Sequence, residues 1–396
     1  MSTTHLNAKE VSRGSVHLDT IRGVAALIVF ANHTRALYFT SPIKGGEATS
    51  EAVGPYKHGD GVPHGEVKFA NEAVIIFFVL SGYLVGGSVL RALQKAQWSW
   101  DTYLAKRITR LMVVLIPALI IGLTLDYVGM KHLGPGSVYT TSLPTPLGNT
   151  KGLASRFTAS TIIGNVFFLQ TILVPTAGTN SSLWSLTSEF WYYIAFPLGL
   201  LALYPRQKVM YRLLYGAATI ATLVFMGRHI VALFPLWILG AVIFLAPWQI
   251  STKAARAMSA VVACLLVLSM LGVRLAHLDV VPAWYVIGVL SAVLIFLLSR
   301  DKQTATNGLY KKTASYFSQI SYSLYLFHLP MATFICGVID RPWQPWSKTH
   351  SHLAAWIVSD LFILGIVTVL WRLFEARTDS IREFIFKPAA KITTAV

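Results

Sequence analysis

The chain contains 396 residues, of which 54% are hydrophobic and only 13% are charged, and its mean hydropathy is +0.58. Because soluble domains carry about a quarter charged residues, this composition excludes a soluble globular protein and predicts a membrane protein with several spans. The net charge of +16 does not indicate a nucleic-acid partner, because the basic residues cluster between apolar segments, as in the cytoplasmic loops of membrane proteins. We therefore expect an all-α, polytopic membrane helix bundle embedded in a lipid bilayer.

Ten apolar segments have the length of a membrane span, which is about 20 helical residues for a hydrocarbon core of about 30 Å. They lie near residues 18–39, 72–92, 110–128, 183–204, 209–226, 229–247, 256–275, 280–299, 316–338 and 353–373. A further apolar run at 161–173 is too short to span and is expected to be re-entrant or interfacial. The sequence thus predicts one membrane domain at 18–375, between an N-terminal tail at 1–17 and a C-terminal tail at 376–396.

The distribution of basic residues predicts the orientation of these spans. An even number of spans places both termini on the same side, and about two thirds of the 33 lysines and arginines fall in segments assigned to that side. Since cytoplasmic loops carry the excess of Lys and Arg, both termini are expected in the cytoplasm. Two long stretches rich in Gly and Pro, 40–71 and 129–160, are then expected to be loops over the outer opening.

The first span carries ionisable residues within an otherwise apolar segment. Arg22 and His33 are eleven residues apart, which is almost three helical turns, so they share one face of the helix. The rise between them is roughly 16 Å, which places the arginine near one membrane surface and the histidine near the midplane. Ionisable groups at that depth are costly and usually line a cavity or a substrate path.

His33 is the first candidate for catalysis, with Asn32 and Arg35 beside it. A neutral imidazole suits general-base catalysis, because it exchanges a proton near neutral pH. The alternative is a histidine that only bonds to a neighbouring helix. The aligned Arg22 and the polar neighbours favour the functional interpretation.

Lys106, Arg107 and Arg110 crowd the start of the third span. Ordinary cytoplasmic charge explains such a cluster by itself. The guanidinium fork, however, matches the oxygens of phosphate, and Arg22 is expected at the same membrane surface. These four side chains together predict a site for a polyphosphate ligand.

The stretch LWSLTSEFWYYIAFP contributes an acidic candidate. Glu189 lies about two turns inside its span, where a carboxylate needs a partner or water, so a functional role is favoured. Trp184 and Ser185 are supporting candidates on the same helix. The aromatic cluster of this stretch is interpreted as a belt at the membrane interface rather than as a sugar-stacking surface. It comprises Trp184, Trp191, Tyr192 and Tyr193.

The stretch ISYSLYLFHLP holds Ser321, Tyr325 and His328 on one helical face. Pro330 lacks a backbone N–H and therefore frees a carbonyl group one turn earlier. His328 is expected near mid-depth, and structural and functional roles are equally supported for it. The small residues of FFVLSGYL at 77–84 are interpreted as helix packing.

Taken together, these stretches resemble the acyltransferase-3 family of integral membrane acyltransferases. The resemblance rests on five motifs in order: Arg22 and His33 as Arg-x10-His, FFVLSGYL at 77–84, KRITRLMVVLIP at 106–117, LWSLTSEFWYYIAFP at 183–197 and ISYSLYLFHLP at 320–330. Their order and spacing agree from about residue 17 to residue 375. Two positions depart from the family pattern. Ile75 stands where members often have Asp, with Glu72 one turn earlier, and Lys106 stands where they often have an arginine.

The resemblance implies transfer of an acyl group, usually acetyl from acetyl-CoA, to a hydroxyl of a carbohydrate in the bacterial cytoplasmic (inner) membrane. Acetyl-CoA is the expected co-substrate, and no metal is expected, because the sequence lacks metal-ligand spacing. The chain ends shortly after its last span, so it is expected to resemble the stand-alone members that have no SGNH-type hydrolase-like domain. Exopolysaccharide, O-antigen, a lipid-linked sugar and a small natural product such as a macrolide remain open as acceptors. Succinyl in place of acetyl and the oligomeric state also remain open.

In such a reaction the four basic side chains would hold the phosphates of CoA, and the pantetheine arm would follow the first helix to His33. His33 would act as general base on the acceptor hydroxyl, or would itself take the acetyl group, and Glu189 would orient the acceptor or His33. The alternative class is a transporter of a glycan or an organic anion, which would use similar buried polar residues without bond chemistry. Transporters often show two similar halves, which this sequence does not.

Overall fold

This computed structural model describes residues 12–39, 69–140, 150–275 and 280–386. Within these residues the chain is an all-α assembly, as predicted, and nine helical segments are long and apolar enough to cross a membrane. The helices are α1 (Arg13–Phe39), α2 (Ala70–Ser81), α3 (Gly87–Gln94), α4 (Trp100–His132), α5 (Ala159–Val166), α6 (Leu183–Leu203), α7 (Val209–Phe244), α8 (Thr252–Leu275), α9 (Val280–Ser299), α10 (Leu309–Ile339), α11 (His350–Leu373) and α12 (Thr378–Phe386).

α7 reverses direction at Gly227, which explains why nine helical segments correspond to ten predicted spans. Gly227 has φ 73° and ψ 164°, a conformation open essentially to glycine alone. The first half of α7 runs antiparallel to α6 and the second half runs parallel to it, as the residue pairs in contact show. The contacts are Arg212 with Ala202 and Phe225 with Trp191 before the glycine, and Ile230 with Tyr192 and Trp237 with Phe196 after it. The halves therefore cross the bundle separately and correspond to the predicted spans at 209–226 and 229–247.

α1 and α10 run side by side in the same direction through the bundle. Near their starts, Ser318 Oγ donates a hydrogen bond to Asp19 Oδ1 at 2.8 Å. Farther along both helices, His33 meets His328. This parallel pairing brings the first and the ninth predicted spans together at the depth where the candidate histidines lie.

Pro330 interrupts the hydrogen bonding of α10, as predicted. It leaves the Leu326 carbonyl without its helical donor, and Asn180 Nδ2 donates to this carbonyl at 2.9 Å. The freed carbonyl therefore joins α10 to the segment that precedes α6.

A single π-helical turn, Gly82–Gly86, joins α2 to α3, and this segment packs closely against the second half of α7. A Cβ at Gly82 would lie 1.8 Å from the Trp237 carbonyl oxygen, and a Cβ at Gly240 would lie 1.9 Å from the Val79 carbonyl oxygen. Only glycine lets two helix backbones approach so closely. The packing interpretation of FFVLSGYL therefore agrees with the position of its glycine.

The described residues at 150–182, which precede α6, do not cross the bundle. α5 has only eight residues, and the chain after it is held by Asn165, which is buried. Asn165 Oδ1 accepts from the Ala177 N–H at 3.2 Å, and its Nδ2 donates to the Pro175 carbonyl at 2.9 Å. The apolar run at 161–173 is accordingly not a span, as its length predicts.

The two predicted loops are described only in part. Most of the loop at 40–71 lies outside the described residues. The loop prediction at 129–160 is wrong at both ends, because α4 continues to His132 and Thr150–Phe157 forms a 3₁₀ helix. With 33 residues, α4 is longer than a bilayer requires and extends into the segment that was predicted as a loop.

Asp126 ties the segment after α5 to α4, at the end of the bundle opposite the start of α1. Thr179 donates to this carboxylate from its N–H at 2.7 Å and from its Oγ at 2.8 Å, and Tyr139 donates from its hydroxyl at 3.3 Å. Burial and the neighbouring carboxylate raise the pKa of Tyr139 above its ordinary value. The phenol therefore remains protonated and remains a donor.

Candidate active site

Two cavities meet inside the bundle at a wall of three arginines. The larger cavity, of about 710 Å³, is found where α1 begins and α11 ends, and is called the vestibule. The smaller cavity, of about 210 Å³, lies among α1, α2, α4, α6 and α10 and is called the inner cavity. Arg22, Arg107 and Arg110 line both cavities, and Lys106 lines the vestibule. The four residues predicted to bind phosphate are thus brought together from two helices.

Arg107 is held in place at this wall by contacts with three side chains. Its guanidinium donates a hydrogen bond to Ser88 Oγ at 3.2 Å. The guanidinium carbon also lies 5.6 Å from the centre of the Tyr103 ring and 6.0 Å from the centre of the Tyr193 ring. Aromatic faces attract cations at such distances, so the charge is oriented before any ligand binds.

Glu189 lies on the inner cavity, where two hydroxyl groups donate to its carboxylate. Ser81 Oγ donates to Oε1 at 2.9 Å, and the Tyr193 hydroxyl donates to the same oxygen. Trp237 Nε1 in turn donates to Ser81 Oγ at 3.2 Å. The carboxylate therefore has the partners that its depth in the bundle requires.

Two of these partners are not recognised from the sequence. Ser81 lines the inner cavity, so it is more than a packing residue. Tyr192 and Tyr193 are 0% and 5% exposed, and Tyr192 stacks on Phe234 inside the bundle, so the belt interpretation is wrong for both tyrosines. The four-residue spacing of Glu189 and Tyr193 places them on one helix face, and this signal identifies the tyrosine as a candidate.

A second pair of hydroxyl groups joins α6 to α10 at the inner cavity. Ser185 Oγ and the Tyr325 hydroxyl are 2.6 Å apart, and both residues line the cavity together with Ser321. Trp184 does not line it, and its ring packs edge-on against Phe78 at a centroid distance of 6.4 Å. The supporting candidates Ser185, Ser321 and Tyr325 therefore line the cavity, whereas Trp184 packs against Phe78.

His33 and His328 form a stacked, hydrogen-bonded pair just outside the inner cavity. Their rings are parallel to within 11°, with centroids 5.2 Å apart, and His33 Nδ1 lies 2.9 Å from His328 Nε2. Neither ring lines the cavity itself. The Tyr325 ring, which does line it, has its centroid 6.1 Å from that of the His328 ring, so the pair lies next to a residue of the cavity lining.

The hydrogen bonds of this pair determine the position of each proton. His328 Nδ1 is 2.9 Å from the Leu324 carbonyl, which can only accept, so this nitrogen carries the proton. In the neutral ring, His328 Nε2 must then accept, and His33 Nδ1 must donate. When His33 is neutral, its basic lone pair is then on Nε2, the arrangement that a general base requires.

The remaining predicted residues lie outside the two cavities. Asn32 and Arg35 flank His33 on α1, and neither lines the vestibule or the inner cavity. Glu72 is 1% exposed near the start of α2 and does not line either cavity. Within the described ranges, no group of three or more His, Cys, Asp and Glu side chains is arranged to hold a metal ion.

The vestibule also contains residues from the end of the chain that the sequence interpretation did not include. Glu375 Oε2 accepts from the Ser323 backbone N–H at 3.0 Å and from Ser323 Oγ at 2.6 Å. Trp371, Asp379 and Arg382 line the vestibule as well. No motif or period marks these residues, because their position depends on how the chain turns after α11.

Comparison with known protein families agrees with this arrangement. The model of the acyltransferase-3 family, described as an acyltransferase domain, matches residues 16–373. No curated protein and no solved structure gives a match. The family match extends from α1 to the end of α11. It includes the inner cavity, the histidine pair and the arginines of the vestibule, whereas Glu375, Asp379 and Arg382 of the vestibule lie beyond it. The chain therefore belongs to the acyltransferase-3 family of integral membrane acyltransferases.

Proposed function

We propose that this protein is an O-acyltransferase of the bacterial cytoplasmic (inner) membrane. It transfers an acyl group, acetyl in the simplest case, from cytoplasmic acyl-CoA to a hydroxyl of an extracytoplasmic or lipid-linked carbohydrate, such as exopolysaccharide or O-antigen. The observation that carries this proposal is the wall of three arginines between the two cavities. Such a wall suits a donor with a polyanionic nucleotide at one end and an uncharged thioester arm at the other.

The position of the vestibule supports cytoplasmic binding of the donor. It lies at the end of the bundle where α1 begins, and the excess of basic residues assigns that end to the cytoplasm. The four basic side chains hold the phosphates, and the uncharged arm passes between them into the inner cavity. Arg22 and His33 are about 16 Å apart along α1, a distance that an extended pantetheine arm can span.

His33 acts as the general base in this proposal. Its Nε2 takes the proton of the acceptor hydroxyl while the hydroxyl oxygen attacks the thioester carbon. The C–O bond forms, the C–S bond breaks, and the departing thiolate takes the proton from His33, so the reaction consumes no further reactant. His328 keeps the Nδ1 of His33 protonated. A covalent variant, in which His33 Nε2 first takes the acyl group, uses the same tautomer.

The contacts of Glu189 favour one of the two roles considered for it. Its carboxylate accepts from Ser81 and Tyr193 on the inner cavity, whereas His33 is oriented by His328. We therefore assign to Glu189 the role of orienting the acceptor, and not that of orienting His33. Ser185 and Tyr325 supply hydroxyl donors between Glu189 and the histidine pair.

Acyl transfer in membranes that contain the protein tests this proposal. The wild type should transfer label from radiolabelled acetyl-CoA to a polysaccharide fraction of the source organism. His33→Ala should abolish transfer while the protein still inserts at its normal level, because the base is lost. His132→Ala is the matched control, since His132 is an exposed histidine at the end of α4.

Two results would contradict the proposal in different ways. Label that persists in His33→Ala would exclude His33 from the chemistry. Normal acetylation of glycan with defective glycan export in the same variant would instead favour a transporter.

A further inference from the structure

The end of α11 and the chain that follows it form part of the vestibule lining. Trp371 near the end of α11, and Asp379 and Arg382 of α12, line this cavity together with the arginines of α1 and α4. α12 packs against α4, and the two hydrogen bonds from Ser323 to Glu375 anchor the turn between α11 and α12. This segment is therefore a fixed part of the vestibule lining.

This part of the vestibule lining presents an aromatic ring, that of Trp371, and a guanidinium group, that of Arg382, whose only described ion pair is weak. Arg382 forms an ion pair with Asp379 at 2.8 Å, and the Asp379 side chain is 82% exposed. Since exposed ion pairs contribute little in water, Arg382 can exchange this partner for a phosphate. The Trp371 ring is half-buried, and an indole in such a position can stack on a purine base.

The covalent order of acyl-CoA determines which part of the donor meets this part of the vestibule lining. The pantetheine arm is joined to a diphosphate, and the diphosphate is joined to adenosine that carries a 3′-phosphate. If the arm enters the inner cavity, the diphosphate lies at the arginine wall and the adenosine lies in the vestibule. Trp371 and Arg382 line the vestibule but not the inner cavity, so they are in the part that the adenosine occupies.

We propose that Trp371 and Arg382 recognise the nucleotide end of the acyl donor. Trp371 stacks on the adenine ring, and Arg382 binds the 3′-phosphate. This inference rests on the proposed function, because it concerns the donor of that reaction. It makes α12 and the end of α11 the elements that select acyl-CoA over acyl donors that lack an adenosine 3′-phosphate.

Truncated donors test the two contacts separately. Arg382→Ala should raise the KM for acetyl-CoA roughly tenfold, as for the loss of one charge-assisted hydrogen bond, and should leave the KM for acetyl-dephospho-CoA unchanged. Trp371→Ala should raise the KM for both of these donors, again roughly tenfold for one lost stacking contact. It should not change the KM for S-acetyl-4′-phosphopantetheine, which has no adenine, and Trp371→Phe should restore most of the affinity. In all variants kcat should stay close to that of the wild type.

The controls are Arg372→Ala and Trp248→Ala, which change exposed residues of the same types that do not line the vestibule. Unchanged KM values for acetyl-CoA in both test variants would overturn the inference. An equal rise in KM for all three donors would also overturn it, because the effect would not depend on the nucleotide.

A binding measurement separates this inference from the proposed function. Adenosine 3′,5′-bisphosphate should bind to the purified wild-type protein in detergent, as measured by calorimetry, and Trp371→Ala and Arg382→Ala should each weaken binding roughly tenfold. Binding with this pattern, in a protein that transfers no acyl group, would support the inference about Trp371 and Arg382 and reject the acyltransferase reaction. Transfer from acetyl-CoA without such binding would support the acyltransferase reaction and overturn the inference about Trp371 and Arg382.

Discussion

The Leu324 carbonyl orients two histidine rings in succession. It fixes the proton of His328 on Nδ1, which makes Nε2 an acceptor and so fixes the proton of His33 on its own Nδ1. In the proposed reaction, the nitrogen of His33 that takes the proton is therefore determined by a backbone group that lies beyond a second ring. In that proposal His328 acts through His33 and is a positioning residue.

Substitution of His328 tests this positioning role. His328→Gln retains an acceptor oxygen near the position of Nε2, whereas His328→Ala removes the acceptor. His328→Ala should lower kcat by roughly 10²-fold, within the range of general-base contributions, and His328→Gln should restore part of it. Initial rates over a range of acetyl-CoA concentrations measure both effects. Equal losses in the two variants would mean that the His328 ring acts only by packing.

Removal of the Glu189 carboxylate should destabilise the protein, because Ser81 and Tyr193 would lose their common acceptor. Glu189→Ala should lower the free energy of unfolding by about 1–3 kcal/mol, the cost of leaving a buried polar group unpaired. Glu189→Gln retains an acceptor oxygen and should keep most of the stability. Thermal unfolding in detergent compares the variants, and a loss with Gln as large as with Ala would show that the charge is what matters.

At the scale of the helices, proline converts an internal hydrogen bond of one helix into a contact with a neighbour. Pro330 of α10 gives the Leu326 carbonyl to Asn180. In α6, the proline at 197 frees the Tyr193 carbonyl, which accepts from the Tyr103 hydroxyl at 3.0 Å. The helices that carry the site are thus joined at the positions where their own hydrogen bonding is interrupted.

A double-mutant cycle tests this exchange of partners. Asn180→Ala should destabilise the protein by about 1–3 kcal/mol, because the Leu326 carbonyl is left unpaired. In a Pro330→Ala background the same substitution should cost less, because residue 330 then supplies the helical N–H. Additive effects in thermal unfolding would contradict this account.

At the scale of the whole molecule, the start of α1 is fastened to the turn after α9. The Arg13 N–H donates to the Gln303 carbonyl at 2.7 Å, and the Gly14 N–H donates to the Asp301 carbonyl at 2.9 Å. Arg256 of α8 forms an ion pair with the Asp301 carboxylate at 2.8 Å, and the Asp301 side chain is 3% exposed. The backbone and the carboxylate of the turn at Asp301 thus join α1 and α8 to the end of α9.

This carboxylate should make stability depend on pH. Burial alone would raise the pKa of Asp301, but the hydrogen bond and charge of Arg256 and the Gln303 N–H hold it below its ordinary value of 3.8. The stabilisation is therefore present above pH 3.8 and is lost as the pH falls through the lower pKa of the folded state. The Tm of the wild type should exceed that of Asp301→Asn near neutral pH, and the difference should shrink in acid. A difference that does not vary with pH would contradict this role.

The predictable features of this protein are those that depend on local sequence. Apolar windows locate the spans. The two predicted spans at 209–226 and 229–247 belong to one helical segment, α7, which changes direction at Gly227. Arg22 and Arg107 could be placed together because both were assigned to the same membrane surface. The contact of His33 with His328 was not predictable, since it joins residues 295 positions apart and depends on α1 and α10 being parallel neighbours. For the same reason, the sequence did not predict the contact of Ser81 with Glu189 or the position of Trp371 and Arg382 in the vestibule.

The wall formed by Arg22, Arg107 and Arg110 also bears on the electrical insulation of the membrane. Three positive charges between two cavities repel protons and metal cations, which are the ions that sustain a membrane potential. An uncharged arm can enter between these charges, whereas the polyanion attached to it binds to them and stays behind. In the reaction proposed for this protein, an acyl group can therefore cross to the far side while the bilayer remains closed to ions.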